Sequence, residues 1–134
     1  MATSFQVVFD AAGPRALGAF WCEALGYIEQ PPPPGYDTWE DALDAMGIDR
    51  SDPDRAFAIV DPDGVGPRVF FQKVPEGKTA KNRVHLDVNV GADLMHQRAD
   101  HLASLGARIV AEYDEPGGHH IAMLDPEGNE FCIQ

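Results

Sequence analysis

Two short signatures occur twice in this chain, in the same order, and they restrict its architecture more than any other feature. Asp61-Pro62-Asp63-Gly64 returns as Asp125-Pro126-Glu127-Gly128, and Leu25-Gly26 returns as Leu105-Gly106. In each half a strand precedes the Leu-Gly signature and further strands follow it, so one supersecondary unit is used twice. The first half is longer because it carries a run of four prolines and a segment around Trp39. A small sheet with one helix buries little core alone, so the halves need each other or a second chain.

The elements follow from period and punctuation. Phe5 to Asp10 sets Phe5, Val7 and Phe9 against Gln6, Val8 and Asp10, a strand pattern. Leu17, Phe20, Trp21, Ala24 and Leu25 recur at helical spacing, which predicts a helix from Pro14 to Leu25 with proline inside its start and Gly26 past its end. On that stripe Trp21 reads as a core residue. Tyr27 to Gln30 reads as a short strand, and Pro31 to Pro34 as an extended spacer, because proline fixes φ and has no N–H to donate. Thr38 is a candidate N-cap for a short helix through Met46. Ala56 to Asp61 and Arg68 to Val74 are expected to pair antiparallel around the Asp-Pro-Asp-Gly turn. The pattern restarts with a strand from Arg83 to Val90 and a helix from Ala92 to Leu105, whose apolar face is expected to hold Leu94, Met95, Ala99, Leu102 and Leu105. Strands at Arg108 to Tyr113, His119 to Asp125 and Glu130 to Ile133 complete it.

A chain of 134 residues with 44% hydrophobic content supports one packed domain. The reading is a single domain, residues 1–134, made of a module at 1–77 and a module at 83–134. Twenty-two acidic residues against ten basic ones give a formal charge of -12, which repels phosphate, so neither nucleic acid nor an anionic membrane is an expected partner. There is no apolar run of about 18 residues, and Cys22 and Cys132 form no metal-binding or disulfide framework, so reduced thiols and a cytoplasmic location are expected. No Gly-rich phosphate loop, nucleophile elbow or HExxH helix is present.

Four pieces in order carry a resemblance: Ala19-Phe20-Trp21 leading to Ala24-Leu25-Gly26-Tyr27, Val74-Pro75-Glu76-Gly77-Lys78, Lys81-Asn82-Arg83-Val84-His85-Leu86-Asp87, and Asp125-Pro126-Glu127-Gly128-Asn129-Glu130-Phe131-Cys132. Together they resemble the glyoxalase-like branch of the vicinal oxygen chelate superfamily, which also holds bleomycin resistance proteins and extradiol dioxygenases. The resemblance implies an α+β fold of two tandem βαβββ modules. These would form an eight-stranded, half-open mixed β-cup with helices outside, a ligand pocket inside, and often a homodimer. In metal-dependent members four side chains hold a divalent ion, and the matching positions here are Gln6, Gln72, His85 and Cys132.

Only His85 is a ligand of the expected kind. Asp87 shares its strand face and either orients the ring or takes part itself. Gln6 and Gln72 are neutral oxygen donors without the charge that offsets dehydration of a dication. Cys132 is a soft ligand if its thiol ionises and a small half-buried hydrophobe otherwise. His119 and His120 face opposite sides of their strand, so one of them enters the cup; parity leaves open which, and His120 is carried as the candidate ligand-binding residue. Trp39 either stacks on a ligand as part of a flap or staples its short helix to the sheet. His96 and His101 are expected in solvent. Lys78, Lys81 and Arg83 form a basic cluster that either lines an anion-binding rim or pairs with surface acids. The expected function is binding of a small organic molecule in the cup, with the four-ligand metal site incomplete and no cofactor required. The alternative is a metal-dependent lyase, isomerase or dioxygenase-type enzyme with an atypical set, zinc-like in preference, in which His85 is the candidate general base.

Overall fold

The protein is described here by a computed structural model covering residues 1–134. In chain order its elements are β1 (Val7–Ala11), α1 (Pro14–Leu25), β2 (Ile28–Glu29), α2 (Trp39–Ala45), β3 (Ala56–Val60), β4 (Val69–Lys73), β5 (Leu86–Val88), α3 (Met95–Ser104), β6 (Arg108–Glu115), β7 (Gly118–Leu124) and β8 (Glu130–Ile133). They form two four-stranded mixed sheets, ordered β1-β4-β3-β2 and β5-β8-β7-β6. In each sheet the first strand of the module lies parallel to its last, Val7 opposite Val69 and Leu86 opposite Phe131, and the remaining pairs are antiparallel. The duplicated sequence therefore becomes a duplicated strand order, and the α+β architecture of tandem modules follows.

Local chemistry sets most element ends. Gly26 closes α1 in the left-handed region at φ 70°, a conformation costly for a residue with a Cβ. Thr38 caps α2, its Oγ1 accepting the Asp41 N–H at 3.1 Å, as the sequence predicts. Gly18 lets α1 lie directly over β3, since a Cβ there would sit 2.2 Å from the Phe57 ring. The second module departs from expectation at its start. Its first strand shrinks to Leu86–Val88, and α3 begins only at Met95, after a turn in which Leu94 N–H donates to the Gly91 carbonyl. Leu94 and Leu105 thereby become the two flanking cap positions and stand exposed, leaving Met95, Ala99 and Leu102 as the buried stripe.

The core runs through both modules without a break. Phe20 and Trp21 of α1 meet Phe131 of β8 edge-on at 6.0 and 5.1 Å, and Phe9 of β1 packs on Trp21 and Phe71 at 5.2 Å each. Trp21 Nε1 donates at 3.0 Å to the buried Asp125, which also accepts the Glu127 and Asn129 N–H groups. Both ends of α1 are held by the second module. The Glu127 carboxylate accepts from Ala12 N–H at 2.7 Å and Gly13 N–H at 3.0 Å at the helix start. Arg98 of α3 donates to the Glu23 and Ala24 carbonyls at 2.9 and 3.1 Å at its end. Each charge has the sign that the helix dipole favours.

Truncating Phe131 to alanine should cost about 3–5 kcal/mol, as for other large aromatics removed from a packed core. Glu127→Ala should cost about 1 kcal/mol, as for loss of a helix N-terminal acceptor. Urea unfolding of the two variants checks both, and a smaller loss for Phe131→Ala than for Glu127→Ala would contradict the packing described.

Candidate functional site

Two hollows border the sheets, and α1 reaches each of them, through Arg15 in one and Trp21 in the other. The larger, about 590 Å³, belongs wholly to the first module. Ala58 of β3 and Phe70 of β4 share its floor, Pro31 and Pro32 form one wall, and Trp39 and Leu43 of α2 cover it. Trp39 staples α2 to the sheet, its Nε1 donating to the Gln30 carbonyl at 2.7 Å, and the residue also lines the cavity.

Arg68, also on that lining, was missed by sequence reasoning. Its Nε donates to Gln30 Oε1 at 2.8 Å and its Nη1 to Gln6 Oε1 at 2.9 Å, and the guanidinium lies 5.1 Å over the Phe70 ring. Both side-chain partners are neutral amides, so the group is held in place while its positive charge stays available to a ligand. Arg15 and Arg50, on the same lining, differ in being matched by Glu29 at 3.7 Å and Asp44 at 2.8 Å. The signal for Arg68 was strand parity: it immediately precedes β4, two residues from Phe70, in the alternation that continues to Gln72.

The second hollow, about 490 Å³, opens at the seam between the modules, bounded by Val8, Asp10, Gln72, Asn82, His85 and Glu130. Beside it His85 Nε2 lies 3.2 Å from Asp87 Oδ1, and Asp87 stands opposite Cys132 in the parallel ladder. The three donor atoms of His85, Asp87 and Cys132 all lie within 4.8 Å of one another. Gln72 Nε2 donates to Asp10 Oδ1 at 2.8 Å, and Gln6 Oε1 accepts from Arg68 Nη1 at 2.9 Å. Of the four positions matched to a metal centre, His85 and Cys132 share one donor cluster, to which Asp87 brings a third group. Burial, and then the Asp87 charge, push the Cys132 thiol above its ordinary pKa, against a smaller opposing pull from Lys81. An imidazole, a carboxylate and a thiol that ionises on binding fit a zinc-type ion; a hard octahedral ion finds a single carboxylate.

His120 stacks on Tyr113 at 5.1 Å and borders neither hollow, while His119 points to the opposite face, towards Glu112. Of the basic connector, Lys78 pairs with Glu130 at 3.1 Å beside the seam hollow and donates to the Ala80 carbonyl.

Two four-stranded mixed sheets of the same strand order, in tandem with their helices, make up the glyoxalase/bleomycin resistance fold. A family model described as a glyoxalase-like domain matches residues 6–134, and the chain belongs to that family. Among solved structures, the fosfomycin resistance protein FosX from Mesorhizobium loti superposes with a TM-score of 0.69 at 12% identity, covering 100% of this chain and 91% of that one. A FosX variant from Listeria monocytogenes, complexed with Mn(II) and 1S,2S-dihydroxypropylphosphonic acid, gives 0.65 at 11% identity, covering 100% and 90%. The bleomycin-binding protein of Streptomyces verticillus, complexed with copper(II)-bleomycin, gives 0.58 at 15% identity, covering 100% and 96%. At these identities the likeness is one of fold. Curated protein sequences give no match.

Because the Asp87 charge raises the Cys132 thiol, Asp87→Asn should lower its pKa and speed alkylation of Cys132 by iodoacetamide at fixed neutral pH. Rates measured against pH in a Cys22→Ala background check this. An unshifted profile would show that Asp87 does not act on the thiol.

Proposed function

We propose that the protein is a small-molecule-binding member of its family whose ligand is an organic anion of carboxylate type with a flat apolar body, held in the first-module cavity. Arg68 carries the reading: a guanidinium stacked on Phe70 and braced by two amides keeps its charge free over an apolar floor. The ligand carboxylate would sit on Arg68 and its body between Phe70 and Trp39, so Gln6 acts as a brace for the anion site. In this reading residues 1–134 are one domain, Gln72, His85, Asp87 and Cys132 line the seam as a polar margin, and His120 serves the surface with Tyr113. No metal centre is required. No helix is long and apolar enough to cross a membrane, and a cytoplasmic location belongs to the proposal.

The test is a thermal-shift screen of aromatic carboxylates beside their amide counterparts. A ligand at a hundred times its Kd contributes about 2.7 kcal/mol to stability. At least one carboxylate should raise the melting temperature, its amide should not, and Arg68→Gln should abolish the shift. A shift that survives Arg68→Gln, or none from any carboxylate, would overturn the reading.

A second reading, metal-dependent catalysis, rests on the His85, Asp87 and Cys132 donors and on the Mn(II) held by the Listeria protein. Here His85 binds the ion or serves as general base. Incubation with Zn, Ni, Mn and Fe(II), dialysis and metal analysis separate the two. Near-stoichiometric retention that disappears in His85→Ala favours the enzyme, and retention indifferent to His85→Ala favours the binding protein.

A homodimer is also proposed. The eight-residue β6 ends its sheet unpaired on one side and leaves Ile109, Val110 and Tyr113 exposed. Light scattering should return twice the chain's mass, and Val110→Lys should reduce it to one.

A further inference from the structure

On the outer side of the second sheet, apart from both hollows, His96 of α3, Glu112 of β6 and His119 of β7 converge. His96 Nε2 lies 2.8 Å from Glu112 Oε1, and His119 Nε2 lies 2.7 Å from Glu112 Oε2. The two imidazoles meet edge to face, their centroids 5.9 Å apart. We propose that these three side chains form a binding site for a divalent transition metal of zinc type, independent of the seam cluster.

Three observations carry this. The donor atoms lie within 4.8 Å of one another, and two imidazoles with one carboxylate form a set that zinc takes with water in the fourth position. The ligands come from three elements, a helix and two adjacent strands, so tertiary structure fixes their meeting. Glu112 and His119 reach one face of the β6–β7 pair, and His96 is delivered from the first turn of α3. Lastly, each imidazole directs Nε2 at a different oxygen of one carboxylate. That is the hydrogen-bonded arrangement expected when protons occupy the space a dication would take. On binding, each neutral ring carries its proton on Nδ1 and gives the Nε2 lone pair to the ion.

Zinc–nitrogen and zinc–oxygen bonds of about 2.0–2.2 Å in a tetrahedron set the donors about 3.4 Å apart, so each hydrogen-bonded imidazole–carboxylate pair must open by a fraction of an ångström to admit the ion. Exposed side chains permit this, His96 being 61% and Glu112 43% accessible. Hydrogen bonds from His119 and His96 hold the Glu112 carboxyl below the usual carboxylate range, so it remains ionised where the imidazoles are neutral. The chain's charge of -12 draws cations to its surface. A bound ion would clamp α3 to the β6–β7 pair.

The experiment uses tag-free, EDTA-treated full-length protein carrying His85→Ala and Cys132→Ser, so that the seam cluster contributes nothing. Zinc titration by calorimetry should show one equivalent bound and a raised melting temperature. Adding His119→Ala or His96→Ala should weaken binding at least about tenfold and remove the thermal shift. Binding unchanged by either histidine substitution, or no binding at millimolar zinc, would overturn the proposal. All of these outcomes are separable from carboxylate binding at Arg68, which is read with zinc absent.

Discussion

Helix α1 is the joint on which the molecule turns, because the second module grips it at both termini and along its length. The Glu127 carboxylate takes the free N–H groups at its start, and Arg98 takes carbonyls at its end. Between them Trp21 reaches across to Asp125 and Phe131. A small sheet with one helix is marginal alone, so this grip makes one core from two halves. It also sets where the seam hollow lies, since β1 and Trp21 border it from one side and Asn129 and Glu130 from the other.

The two copies of the unit kept their strand order and parted in chemistry. Asp61 spends its carboxylate on its own turn, accepting the Asp63, Val65 and Gly66 N–H groups, and those bonds hold its pKa low. Asp125 makes the same kind of turn and adds the indole of the other module. The proline spacer and α2 give the first module a covered, partly apolar cavity, whereas the second sets three of its five imidazoles, two carboxylates and its thiol in two clusters on opposite sides of its sheet. The apolar cavity and the clustered donor side chains thus fall in different halves.

The fold was legible because its evidence is local. Helical spacing, the glycine exits, the Thr38 cap and the repeated Asp-Pro turns each act within a few residues. The errors fall where a boundary is tertiary: Leu94 and Leu105 fit a helical stripe, but the Gly91 turn puts them at the helix flanks. The site was legible in part. Matching positions by resemblance located Gln6, Gln72, His85 and Cys132, yet could not say that the glutamines were already engaged, because those engagements are with Arg68 and Asp10 across the sheet. Strand parity implied opposite faces for His119 and His120; which face each took depended on Glu112 and Tyr113, on the neighbouring strand.

Arg68 touches both margins of its sheet, through Gln6 ahead of β1 and Gln30 beyond β2. A guest that captures the guanidinium draws on the same hydrogen-bonding groups that moor the chain's leading residues and the root of the proline arm. The one arginine thereby fastens the chain's leading residues and the root of the proline arm to a single point at the mouth of the hollow.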